Sequence, residues 1–156
     1  MFNDSLHKGN YVYLIDDVSK KRFEEATKNM RTNSPKGSFY VYGHGNPGTI
    51  SQTNKDGKLL AFYNENTLPK LLKENGYTNG QPLVLFSCST GLPQSSLGLP
   101  SLAQLLSNIL NVDVYAPDGY LLVPNNGQAY ISTYGFPPMN MIPLFTRYNL
   151  KKFSPQ

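Results

Sequence analysis

Phe39-Tyr40-Val41-Tyr42-Gly43-His44-Gly45 and Pro82-Leu83-Val84-Leu85-Phe86-Ser87-Cys88-Ser89-Thr90-Gly91 decide how the chain folds. Each begins as an apolar run of strand-forming residues, reaches a reactive side chain and then enters small or Gly-rich sequence. A parallel strand buried on both faces has this pattern, because neither face can alternate with polar residues. In open α/β sheets, functional residues collect at the carboxyl ends of the strands. One run ends in a histidine and the other in the only cysteine of the chain. A thiol needs a base to become a thiolate at neutral pH, and imidazole is the usual partner.

Working outward, Tyr11-Val12-Tyr13-Leu14-Ile15 reads as an earlier strand, and Ser19 caps a helix with apolar positions Phe23, Ala26 and Met30. Asn33-Ser34-Pro35-Lys36-Gly37 breaks it before the histidine strand. Residues 49–52 and 58–62 flank Asp56-Gly57 and predict a hairpin. Thr67 caps a short helix through Leu68, Leu71 and Leu72, stopped by Asn75-Gly76.

Beyond the cysteine strand, Ser101 and Gln104 make a capping box. It leads a helix with the stripe Leu102, Leu105, Leu106, Ile109 and Leu110, which predicts core. Val112 to Ala116 is a further strand, and residues 119–123 and 128–133 predict a second hairpin around Asn125-Asn126-Gly127. Residues 1–10 read as a flexible lead-in, and 134–156 as a loop-rich tail packed on the domain. Strand and helix alternate, so the expected class is α/β with a mainly parallel central sheet. Its parallel members start near residues 11, 39, 82 and 112.

The chain has 156 residues, enough for a single domain with a real core. Its net charge of +4 is scattered, and the densest basic cluster, Lys20-Lys21-Arg22, is not interleaved with aromatics as a nucleic-acid groove would be. No nucleic-acid partner is expected. No apolar run is long enough to span a membrane, and no basic-then-apolar leader opens the sequence. Secretion or delivery is therefore expected to come from a carrier polypeptide or from sequence outside these residues. One cysteine forms neither an internal disulfide framework nor a cysteine metal cluster, and neither metal nor cofactor is expected.

His44 is flanked by Gly43 and Gly45, and glycines let backbone approach a ligand closely. Ser87, Ser89, Thr90 and Gly91 leave the Cys88 sulfur accessible, with Ser89 a candidate substrate contact. The N–H groups of Gly45 and Cys88 are candidate oxyanion donors. Asp16, Asp17, Asp113 and Asp118 stand at strand ends, and Asp118 is a candidate partner for a basic substrate side chain. No third residue orienting the histidine stands out.

Val41-Tyr42-Gly43-His44-Gly45 and Leu85-Phe86-Ser87-Cys88 resemble the histidine and cysteine motifs of the caspase-like (clan CD-type) cysteine peptidases. Gly43 to Gly48, Ser87 to Gly91, Leu102 to Leu106 and Val114 to Pro117 resemble, more narrowly, C-terminal effector domains of Rhs-type and other polymorphic bacterial toxins. The likeness spans about residues 38–123 and lacks the extended activation loops of caspases. It implies a caspase-like three-layer sandwich with helices on both sheet faces. It also implies a His44–Cys88 dyad and oxyanion donors at Gly45 and Cys88. The implied activity is a cysteine endopeptidase acting on a protein or peptide as a bacterial toxin effector or self-processing domain. Such a domain is delivered into a target cell and has a cognate immunity protein as a partner. A deamidase or acyltransferase on the same dyad, and an inactive caspase-like binding module, stay open beside it.

Overall fold

The two decisive runs become neighbours in the middle of a sheet. The computed structural model describes residues 6–17, 19–132 and 146–156. In chain order the first elements are β1 (Tyr11–Tyr13), α1 (Lys20–Ala26), α2 (Lys28–Thr32), β2 (Phe39–Tyr42), β3 (His44–Gly45), β4 (Ile50–Thr53) and β5 (Leu59–Tyr63). They are followed by α3 (Leu68–Glu74), β6 (Leu83–Phe86), α4 (Leu102–Leu110), β7 (Val114–Ala116), β8 (Tyr120–Leu122), β9 (Tyr130–Ser132), β10 (Thr146–Arg147) and β11 (Lys151–Phe153). The main sheet has the order β1-β2-β6-β7-β11. Its first four strands run parallel, and these are the four expected from sequence. Two small antiparallel sheets, β3-β4-β5 and β10-β9-β8, accompany it.

Every residue of β2 and β6 is fully buried, as a strand covered on both faces requires. Phe39, Val41, Leu83 and Leu85 point to one face, where Leu68 and Leu72 of α3 and Leu102, Ala103 and Leu106 of α4 cover them. Tyr40, Tyr42, Val84 and Phe86 point to the other, beneath Phe23, Ala26 and Met30 of the first two helices. Leu121, Ala129 and Ile131 of the β8–β9 hairpin complete that side. The chain is therefore a mixed α/β fold with helices on both faces of a mainly parallel sheet.

Tyr42, the last residue of β2, is fixed before the chain reaches His44. Its ring stacks on Tyr13 at 4.6 Å. Its hydroxyl accepts from Arg31 Nη1 at 2.9 Å and lies 3.0 Å from Thr27 Oγ1. Burial pushes its pKa up to about 12 even though the Arg31 cation acts in the opposite sense.

Several local expectations shift. The helix from Ser19 divides at Thr27, whose hydroxyl donates to Phe23 O at 2.7 Å, so α2 begins anew at Lys28. In α4 the buried leucines are Leu102 and Leu106, whereas Leu105 is half-buried and Ile109 is 52% exposed. The sheet covers a narrower stripe of α4 than the sequence pattern offers. Ser101 Oγ accepts from Gln104 N at 3.1 Å, but the Gln104 amide reaches Asn108 Oδ1 and Ser154 O. The capping box is thus not reciprocal.

The lead-in is tied down where it is described: Asn10 is buried and its carbonyl accepts from Tyr40 N at 2.9 Å. Thr133 of the expected second hairpin and residues 134–145 of the expected loop tail lie outside the described residues. The rest of that tail is not simply loop, because Lys151–Phe153 adds an antiparallel edge strand beside β7 and buries Phe153.

Candidate active site

Tyr42 of β2 stands opposite Phe86 of β6 in the parallel register. His44 and Cys88 each follow two residues later, so they occupy matching positions beyond adjacent strand ends. Both line one cavity of about 420 Å³, together with Gly43 and Phe86. The expected adjacency of the two strands is present.

The joint between the strand ends is a glycine. After β2 the chain leaves the main sheet, and His44-Gly45 pairs antiparallel with Ile50-Ser51. A Cβ built on Gly45 would fall 2.5 Å from Cys88 O and 2.8 Å from Ser87 Cβ. Only a residue without a side chain lets these two backbones touch. The contact draws together the two segments whose N–H groups are the candidate oxyanion donors.

The histidine has an orienting partner that the sequence did not single out. Its Nε2–H donates to the Asp17 carboxylate, 3.1 Å from Oδ2 and 3.2 Å from Oδ1. This leaves Nδ1 as the nitrogen without that partner. Asp17 is positioned by the extension of β1. Leu14 N donates to Tyr42 O at 2.7 Å, and Leu14 O accepts from Thr53 N at 2.9 Å. The segment is thus strapped between β2 and β4 just before it delivers the carboxylate. The only sequence signal was that an apolar strand run ends in Asp16-Asp17; Asp16 is exposed and Asp17 half-buried.

The sulfur is held differently. Cys88 is partly buried, and its Sγ accepts from Leu121 N at 3.3 Å while lying 3.6 Å from Leu121 O as a donor. Both polar contacts are with the backbone of β8, so thiol and imidazole share the cavity without a hydrogen bond to each other. Burial pushes the thiol pKa up, and backbone N–H groups of Leu121 and Cys88 act in the opposite sense. The turn behind the sulfur is firmly built. Ser89 adopts a left-handed φ of 62° and donates its N–H to Gly119 O at 2.7 Å. Thr90 Oγ1 donates to Ser87 O at 3.0 Å, and Gly91 N to Pro117 O at 2.8 Å. Holding a serine in that region costs on the order of 1–3 kcal/mol and persists because the surrounding bonds over-determine it.

The remaining candidates are not brought to the cavity. Ser89 is buried in the turn. The Asp118 carboxylate pairs with Arg147 Nη2 at 2.9 Å. Asp113 lies 3.5 Å from Lys152 Nζ. Among the described residues, no group of three or more His, Cys, Asp or Glu side chains is placed to hold a metal ion. Among them too, no helix is long and apolar enough to cross a membrane.

Residues 13–131 match the model of a family described as a domain of unknown function, DUF8616, and the chain belongs to that family. The matched span includes Asp17, His44 and Cys88. No curated protein and no solved structure matches the chain.

Proposed function

We propose that this chain is a caspase-like cysteine peptidase domain with Cys88 as nucleophile, His44 as acid and base, and Asp17 as the residue that positions His44. The observation that carries this reading is the matched placement of His44 and Cys88 beyond in-register parallel strands, on one cavity wall.

The chemistry follows from the groups present. The Cys88 thiol passes its proton to the free nitrogen of His44 as sulfur bonds to the scissile carbonyl carbon, and the carbonyl electron pair moves to oxygen. The N–H groups of Gly45 and Cys88 are the donors assigned to that oxyanion. When the intermediate collapses, the C–N bond breaks and His44 returns its proton to the leaving amine. Water then attacks the thioester, giving a proton to His44. The C–S bond breaks and the thiol is restored. Asp17 keeps Nε2 protonated throughout, so that Nδ1 does the transfer. The sulfur and imidazole must approach on substrate binding, and catalytic hydrogen bonds are often long before substrate arrives. The motifs shared with polymorphic toxin effectors support delivery by a carrier polypeptide into a target cell, with an immunity protein as partner.

One observation favours a second reading, a binding module of the same fold: both polar contacts of the sulfur are with Leu121 and burial disfavours its thiolate. Mass spectrometry of a protein mixture incubated with wild type and Cys88→Ala separates the readings. New N-termini made only by wild type are expected. Deamidated side chains without cleavage would indicate acyl transfer of another kind. No covalent change, with equal partner capture by both proteins, would establish the binding module.

A further inference from the structure

The cavity beside the dyad also has a chemistry of its own. Ile15, Phe23, Phe86, Leu122 and Val123 give it a broad apolar wall, with Ser19 and Asn125 at its polar margin. Among the described residues the lining contains no carboxylate, and the neighbouring Asp17 is already paired with His44, so no free acid there would neutralise a lysine or arginine side chain. Among the described residues of the lining, the one Lys or Arg is Arg22, and that guanidinium is engaged. Nε donates to Pro124 O at 2.9 Å, Nη2 donates to Gly127 O, and Nη1 stands 3.6 Å from Glu25 Oε2. Arg22 thus staples α1 to the β8–β9 turn and is not offered to an acidic ligand. Burying a charge without a partner is costly, whereas apolar area gains from burial. The cavity volume is in the range of sites that enclose a bulky side chain or small ligand.

We propose that this cavity is the specificity pocket and takes a large apolar side chain, aliphatic or aromatic, from the residue whose carbonyl Cys88 attacks. The proposal rests on the peptidase reading. It replaces the expected basic side chain at Asp118, which Arg147 already neutralises. It also assigns a role to the β8–β9 hairpin, which supplies the outer wall through Leu122 and Val123.

Three peptidyl acyloxymethyl ketones that differ only in a terminal leucyl, aspartyl or lysyl side chain test the pocket on the wild-type protein. In each, the Cys88 sulfur bonds to the probe methylene, the carboxylate leaves with its electron pair, and the thiol proton passes to His44. The rate is read by intact mass, and the site by peptide mapping. The leucyl probe is expected to label Cys88 faster than the other two by roughly tenfold or more, the scale of apolar pocket discrimination. Fastest labelling by the aspartyl or lysyl probe would overturn the apolar pocket and leave the peptidase reading standing. No labelling by any probe, while iodoacetamide still alkylates Cys88, would overturn the peptidase reading and the pocket with it. Leu122→Glu places a carboxylate on the wall and is expected to shift preference from the leucyl to the lysyl probe. A folded variant with unchanged preference contradicts the assignment of that wall.

Discussion

His44 and Cys88 stand at equivalent points of neighbouring strands, yet their surroundings are opposite. The histidine side chain is 48% exposed and oriented by a carboxylate. The cysteine is withdrawn, bonded to backbone, and held in the neutral form by burial. The difference lies in what covers each strand end. Beyond β2 the chain turns outward into the β3-β4-β5 sheet, whose outer strand exposes Leu59, Leu60 and Phe62. Beyond β6 it turns beneath β8, whose Leu121 is buried. On the proposed mechanism, one half of the dyad is ready before substrate arrives. The other is released when its contact with Leu121 O is exchanged for substrate and imidazole.

Deleting each half tests this asymmetry most severely. Cys88→Ala should reduce cleavage to the uncatalysed background, because the chain has no second cysteine. His44→Ala should lower the rate by about 10²–10⁴-fold, the usual contribution of a positioned acid or base. Both should keep the wild-type melting curve at neutral pH. Retained cleavage in folded Cys88→Ala would remove the nucleophile from the account.

Gly45→Ala attacks the joint between the halves. Its methyl would meet the Cys88 carbonyl and the Ser87 side chain. Thermal denaturation should show a loss of about 1–3 kcal/mol, as for other overpacked sites, with activity falling alongside. An unchanged melting temperature would show that the two strand ends do not touch as described.

Asp17→Asn should act more gently. The pair is partly solvated, with side-chain exposures of 48% for His44 and 21% for Asp17, so solvent screens it. A fall in kcat of about tenfold is expected, equivalent to about 1.4 kcal/mol. KM should change little and the pH–rate profile should alter. A uniform loss of stability with an intact profile would make Asp17 structural.

The smallest effect concerns pH. The folded thiol has a raised pKa, so burial favours the protonated form and its stabilisation is complete below the ordinary thiol value. That stabilisation is lost as pH rises through the higher folded value. Wild type should therefore lose stability in that alkaline window relative to Cys88→Ala, in paired melts across pH. Parallel curves would contradict the burial of the thiol.

The sheet was legible because strands buried on both faces write continuous apolar runs, and the histidine and cysteine terminate two of them. Asp17 was named only as one of several acids at strand ends. What distinguishes it is the strap through Leu14, a backbone arrangement that side-chain patterns do not record. Leu121 was equally hidden, since it meets the sulfur through main-chain atoms that any residue carries. Lys151-Lys152-Phe153 forms a short edge strand with one buried side chain, too little alternation to mark it. The stripe on α4 had the right period but was too wide: packing against the sheet centres on Leu102 and Leu106, while Leu105 is half-buried and Ile109 exposed.

The central claim is that Cys88 is a nucleophile engaged by substrate beside His44. It is tested most directly by the ratio of two labelling rates at Cys88, a leucyl acyloxymethyl ketone against iodoacetamide, in wild type and His44→Ala at neutral pH. Alkylation by iodoacetamide is expected to be slow, because burial favours the neutral thiol, and labelling by the peptidyl probe faster. His44→Ala is expected to lower the peptidyl rate by about tenfold or more while leaving the iodoacetamide rate near that of wild type. Iodoacetamide reacting faster than the peptidyl probe, with both rates indifferent to His44, would mean that Cys88 is a packing residue.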